Sequence, residues 1–142
     1  MIDGKIEILG KSQVLLPSNF IEELERLSPK LAHSAIKTSI KKDISDYAQK
    51  LGSTDVGMLN ILAEVFETFG LGHMEIIDLD NRKKACIVRI HNSPLKDGKA
   101  DDGMICPAVL SGMFSFLFSK DVEAKKASSK LKGMNYSEYV IK

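Results

Sequence analysis

Polar and charged residues are interspersed with apolar ones along most of this chain, but from Gly103 to Ser119 the charges stop. That stretch reads GMICPAVLSGMFSFLFS and holds no charge, although Lys and Asp crowd both of its flanks. Met104, Ile105, Val109, Leu110, Met113, Phe114, Phe116, Leu117 and Phe118 cover more than one face at a 3.6-residue spacing, which predicts a helix buried nearly all round. Each large side chain left in water would forfeit roughly 1.5–3 kcal/mol, so the nine cannot all face solvent in a stable fold. The helix would be roughly 25 Å long, short of the ~30 Å hydrocarbon slab, and Pro107 and Gly112 interrupt it. A core helix is expected, without membrane insertion.

The other elements follow from the same reading. Lys5–Leu9 and Gln13–Leu16 flank Gly10 as a small strand pair. Ser18 is a candidate cap for a helix whose apolar face is Phe20, Ile21, Leu24 and Leu27. Ser28-Pro29 restarts a longer helix carrying Leu31, Ala35, Ile36, Ile40, Ile44, Tyr47 and Leu51, ended by Gly52. Ser53-Thr54-Asp55 caps a third helix with Val56, Leu59, Leu62, Ala63, Val65, Phe66 and Phe69, stopped by Gly70 and Gly72. His73–Leu79 and Ala85–His91, joined by a polar turn, should pair as a hairpin. A turn-rich, charged loop spans Asn92 to Asp102. Asp121–Ala127 and Tyr136–Ile141 read as closing strands. Consecutive hairpins imply one antiparallel sheet of about four strands with helices packed on it, an α+β fold in a single domain spanning 1–142.

Composition adds mostly exclusions. A chain of 142 residues can bury one real core. Twenty basic and nineteen acidic residues nearly cancel, giving no field that would favour nucleic acid. Lys120, Lys125, Lys126, Lys130 and Lys132 are a modest cluster without interleaved aromatics, and an edge strand protected from aggregation explains them. Two cysteines make no disulfide framework, and the N-terminal MIDGKIEIL lacks the pattern of a signal peptide. A cytoplasmic protein with free thiols is expected.

Candidate chemistry is sparse. No nucleophile elbow, phosphate-binding loop, dinucleotide fingerprint or metalloprotease motif occurs. His33, His73 and His91 are not spaced with Cys, Asp or Glu as a metal box. Asp97, Asp101 and Asp102 crowd a loop among lysines, as solvated charge does. Cys86 and Cys106 read first as small buried hydrophobes. His91, Asn92 and Ser93 end a strand, where a polar group could meet a ligand or simply satisfy the backbone. Met58, Phe66, Phe69, Met104, Met113, Phe114, Phe116 and Phe118 concentrate flexible and aromatic fillers on two helices, which suits either an ordinary core or the lining of a small-molecule pocket.

From Gly70 onward the chain resembles the 4-vinyl reductase domain family. The matching features are a third helix ending in Gly70-Leu71-Gly72 and a hairpin finishing in His91-Asn92-Ser93-Pro94. A polar loop follows, then Cys106 and Gly112 in the apolar helix, then two terminal strands. The family consists of small-molecule-binding modules. It also occurs in bacterial regulators of aromatic catabolism and is related in fold to transport-protein-particle subunits. The resemblance implies non-catalytic binding of a small hydrophobic molecule by a homodimer, acting as a sensor or carrier. Its pocket would draw on Phe66, Phe69, His91, Ser93, Cys106, Leu110, Met113, Phe114 and Leu117. An assembly scaffold with a closed pocket is the alternative. Reductase activity is implied only by the family's name, and no nicotinamide or flavin signature accompanies it, so no cofactor is expected. The family's zinc cage uses a Cys in the apolar helix, then Glu-x-x-Cys and a further Cys. Here Cys106 keeps the first position, while Lys126, Ser129 and Ser137 occupy the others. One thiolate, a cation and two hydroxyls cannot hold structural zinc, so the closing strands should be held by packing of Val122, Ala124, Tyr139 and Ile141.

Overall fold

The structure is a computed structural model that describes residues 4, 6–51, 57–94, 104–127 and 136–142. A two-stranded ribbon opens the chain, β1 (Ile6–Ile8) against β2 (Lys11–Gln13). Three helices follow, α1 (Ser18–Leu27), α2 (Pro29–Leu51) and α3 (Gly57–Thr68). Then come the hairpin β3 (His73–Asp80) and β4 (Ala85–His91), the apolar helix α4 (Ile105–Phe118), and the strands β5 (Ala124–Lys126) and β6 (Tyr136–Ile141). The fold is α+β, and the main sheet is antiparallel throughout in the order β3-β4-β6-β5. The last strand therefore inserts between the hairpin and β5, leaving the Lys125–Lys126 strand at an edge.

Alternation in β4 and β6 decides which face of the sheet meets the helices. Cys86, Val88, Ile90, Ser137, Tyr139 and Ile141 are buried and face α4, while Arg89, His91, Tyr136 and Glu138 share the other face. A bulge at Ile77 separates the pairs Ile76–Val88 and Asp78–Ile87 and leaves Ile77 40% exposed. The turn is closed by Asp80, whose carboxylate accepts the backbone N–H groups of Arg82 and Lys83, both at 3.0 Å.

Helix α4 is buried as its pattern predicts, with Ala108, Leu110, Met113 and Phe114 wholly inaccessible. Pro107 falls in its first turn, where no intrahelical donor is lost, so it does not interrupt the helix. Nor does Gly112: it is the point where α2 crosses. A Cβ there would stand 2.7 Å from the Lys37 carbonyl oxygen and 3.1 Å from Ile40. Gly72 has a similar reason, with φ at +111° and the His91 carbonyl 2.5 Å from where a Cβ would be.

Three departures from the sequence pattern stand out. The β2 strand lies earlier than expected, so Val14, Leu15 and Leu16 fall beyond it and are 80%, 76% and 47% exposed. The residue before α1 is Pro17, not Ser18, and among the described residues no side chain caps that end. Helix α1 also presents Phe20, Leu24 and Leu27 outward and buries Glu25 instead. The capping segment expected before α3 and the loop aspartates lie outside the described residues.

Candidate functional site

Because α4 is apolar all round, the polar atoms it does carry must find partners inside the fold. Ser111 and Ser115, one turn apart, both find them on the segment leading into β5. Ser111 Oγ accepts the Ala124 N–H at 2.9 Å and directs its proton to the Pro107 carbonyl at 2.7 Å, with a Glu123 carboxylate oxygen 3.3 Å away. Ser115 Oγ accepts the Val122 N–H at 3.0 Å and donates to the carbonyl of the same residue at 3.2 Å. The closing strands are thus pinned to α4 by two hydroxyls as well as by buried Val122, Ala124, Tyr139 and Ile141.

The positions of the family's zinc ligands do not compose a metal site. Cys106 is buried, Ser137 is buried on β6, Lys126 is exposed on the edge strand, and Ser129 lies outside the described residues. Burial pushes the Cys106 thiol up to about 11 despite a contact with Ser93 Oγ at 3.7 Å, so it is a neutral thiol at ordinary pH. A neutral thiol, a Lys and hydroxyls do not fit zinc.

Phe66, Cys106, Leu110, Met113 and Phe114 fall together in one core cluster, with Phe69 and Leu117 packed partly buried against it. Ser93 joins them through Cys106. His91 is on the opposite face of the sheet from this cluster. There its Nε2 meets Glu75 at 2.7 Å and its ring lies 5.5 Å from that of Tyr136, over which Arg89 stacks at 4.7 Å. Arg89 also bonds Glu138 at 3.1 Å.

One polar residue at the N-terminal end of α4 has no signature in the sequence. Glu25 reaches in from α1 and is only 8% exposed. Its carboxylate accepts the backbone N–H of Ile105, the first residue of α4, where unpaired N–H groups and the helix dipole favour an anion. The other oxygen, Oε1, is buried with no hydrogen-bond partner among the described residues. Burial raises its pKa, opposed by the Ile105 bond and reinforced by Glu22. Burial likewise raises the Tyr139 hydroxyl, and the charges of Cys106 and Glu25 add to it. A carboxyl, a thiol and the Ser93 hydroxyl thus gather at the N-terminal end of the apolar helix.

A second polar group lines a cleft of about 620 Å³ along α2, walled by His33, Lys37, Lys41, Asp46, Asp121 and Glu123 among others. Lys37 bonds Asp121 at 2.7 Å and also Glu123, and His33 Nε2 meets Glu123 at 2.9 Å. Burial alone would raise Glu123, but Lys37 and His33 outweigh it and hold the carboxyl below its ordinary value. Lys37 correspondingly gains: burial opposes its charge, and Asp121 and Glu123 more than restore it. None of the aromatic or methionine residues of the core lines this cleft.

No family model matches the chain, and no curated protein does. Solved structures do. A crystal structure of the phenol-responsive sensory domain of the transcription activator PoxR with phenol superposes with a TM-score of 0.74 at 14% identity, covering 99% of this chain and 81% of that one. The fold matches that of the 4-vinyl reductase family. A vinyl-4-reductase family protein from Methanocaldococcus jannaschii superposes at 0.61 and 12% identity over 94% of this chain and 85% of its own. A trafficking protein particle complex subunit 3 from Naegleria fowleri, covalently bound to palmitic acid, does so at 0.55 and 16% over 88% and 91%. Among the described residues no helix is long and apolar enough to cross a membrane.

Proposed function

We propose that this chain is a non-catalytic module that holds a small hydrophobic molecule, working in the cytoplasm as a homodimer and serving as a sensor or carrier. The observation that carries the reading is α4 itself, an uncharged helix with polar groups at its N-terminal end: Glu25, Ser93 and Cys106. Such an arrangement suits a guest that is mostly apolar and carries one hydrogen-bonding group, because burial of the apolar part supplies affinity and a single polar contact supplies orientation. Glu25 Oε1, without a partner among the described residues, is the acceptor such a group would satisfy. That one structural neighbour holds phenol and another holds palmitate agrees with this reading. A guest that fills the site would shift the packing of α4 against α1 and α2, which is how a sensor would report occupancy.

A second reading, an assembly subunit with no open pocket, is favoured by the inaccessibility of Phe66, Leu110, Met113 and Phe114. Titration calorimetry with phenol and with palmitate separates the two. Saturable binding of either, weakened about tenfold or more by Ile105→Trp at a partly buried position in the first turn of α4, is the expected result. Absence of binding to a folded, ligand-free protein would favour the assembly subunit.

A further inference from the structure

The cleft along α2 carries chemistry that neither the core nor the proposed guest uses. Thr38, Lys41, Lys42 and Ser45 line it and stand at i, i+3, i+4 and i+7, so they form one diamond on the helix surface with about 5–6 Å between neighbouring Cβ atoms. Two ammonium groups and two hydroxyls meet there, with no acid among them. The acids that do line the cleft are engaged elsewhere: Asp121 and Glu123 hold Lys37, and Asp46 faces Lys11 at 3.8 Å. Lys41 lies close enough to Asp121 to help lower its pKa, but among the described residues neither Lys41 nor Lys42 makes an ion pair. Lys37 and Lys41, four residues apart, also repel each other, an arrangement that helix stability alone disfavours.

We propose that this cleft binds a small phosphate ester of a sugar or polyol, its phosphate held on Lys41 and Lys42 and its body lying toward Lys37. A tetrahedral dianion suits the diamond because it accepts from every donor there and offsets both charges. The cleft of about 620 Å³ is far larger than a phosphate alone, so the guest has a body. That body is polar and not a nucleobase. Among the described residues no phenyl or phenol ring lines the cleft to stack on, whereas Ser34, Asp121 and Glu123 offer partners for hydroxyl groups. The far wall also connects to the core: Glu123 reaches Ser111 Oγ at 3.3 Å, the hydroxyl that pins the approach to β5 onto α4. An ester that draws Lys37 away from Glu123 would therefore be felt at α4. The inference concerns a face that the hydrophobic guest does not touch and is independent of the ligand reading above.

The test is titration calorimetry of the full chain with glucose 6-phosphate at fixed ionic strength, beside glucose, inorganic phosphate and a Lys41→Gln, Lys42→Gln variant. Both lysines are exposed, so the variant should keep its circular dichroism. Saturable binding of glucose 6-phosphate with a Kd of about 1 mM or below, no binding of glucose, and a loss of about tenfold or more in the variant are expected. Amide shifts of the labelled protein should concentrate between Thr38 and Ser45. A variant that binds like the wild type, or shifts confined to other elements, would overturn the site. Inorganic phosphate bound as tightly as the ester would overturn the sugar or polyol body. Absence of binding by either at about 10 mM would overturn the proposal, and if the chain then bound phosphatidic acid vesicles through the same lysines the phosphate would belong to a lipid headgroup. Uptake of phenol or palmitate without the ester, or of the ester without them, tells the failure of one reading from that of the other.

Discussion

Gly112→Ala is the most direct probe of how α4 is held. The added Cβ would lie 2.7 Å from the Lys37 carbonyl oxygen and 3.1 Å from Ile40 Cβ and Cγ2. A carbonyl of α2 cannot rotate away without breaking its helix, so α2 and α4 must separate by several tenths of an ångström. Overpacking of this kind costs typically about 1–3 kcal/mol, against which Ala gains roughly 1 kcal/mol of helix propensity over Gly. Net destabilisation of about 0–2 kcal/mol follows, lowering Tm by up to roughly 8 °C for a domain of this size. Urea denaturation followed by circular dichroism should show a lower midpoint at unchanged slope. The displaced backbone belongs to Lys37, so the ion pairs with Asp121 and Glu123 should loosen as well. A variant more stable than the wild type by the roughly 1 kcal/mol that propensity alone predicts would refute the close crossing.

Other consequences are separable. Ser111→Ala removes the acceptor of the buried Ala124 N–H and should cost about 1–3 kcal/mol, read from the same urea curves; a smaller loss would mean that water replaces the hydroxyl. Asp121 and Glu123 have lowered pKa values, so their contribution is present at neutral pH and lost as pH falls through those values. Lys37, with a raised pKa, loses its own contribution only as pH rises past the ordinary lysine range. Lys37→Met should therefore lower stability at pH 7 and approach the wild type below about pH 4, and a gap that stayed constant with pH would contradict the assignment. With the Cys86 thiol pushed up to about 12 and the Cys106 thiol to about 11, chiefly by burial, a thiol reagent at pH 8 should react slowly with the native chain and rapidly in guanidinium. Fast native labelling would show that one of these sulfurs reaches solvent.

The periodicities of the chain carry most of the fold. Uncharged Gly103–Ser119 and the stiff β-branched runs at His73–Leu79 and Ala85–His91 place α4 and the hairpin close to their observed limits, because burial and side-chain alternation leave little choice there. Interruption by Pro107 and Gly112 was misleading for one reason: both residues have roles set by position, in a first helical turn and at a helix crossing. The direction of α1 could not be read from its pattern. An apolar stripe says that something covers it, not whether that is the chain's own core, and which of Glu22, Glu23 and Glu25 is buried depends on where the N-terminus of α4 happens to lie. Ser111 and Ser115 did leave a signal, since two hydroxyls four residues apart in a buried helix must be partnered. Their partners, in the approach to β5, come from tertiary packing. Of the residues proposed for the pocket, those on helices lie in or against the core cluster, whereas strand parity sends His91 to the far side of the sheet.

Native mass spectrometry of the freshly purified chain, followed by a denatured spectrum of the same sample, tests the central claim most directly. A small hydrophobic molecule bound to the folded protein should add a discrete mass that disappears on denaturation and is recovered as an organic species. Calorimetric binding by the stripped protein should then follow. A folded protein that carries no adduct and takes up neither phenol nor palmitate would contradict the binding module and leave assembly as its role.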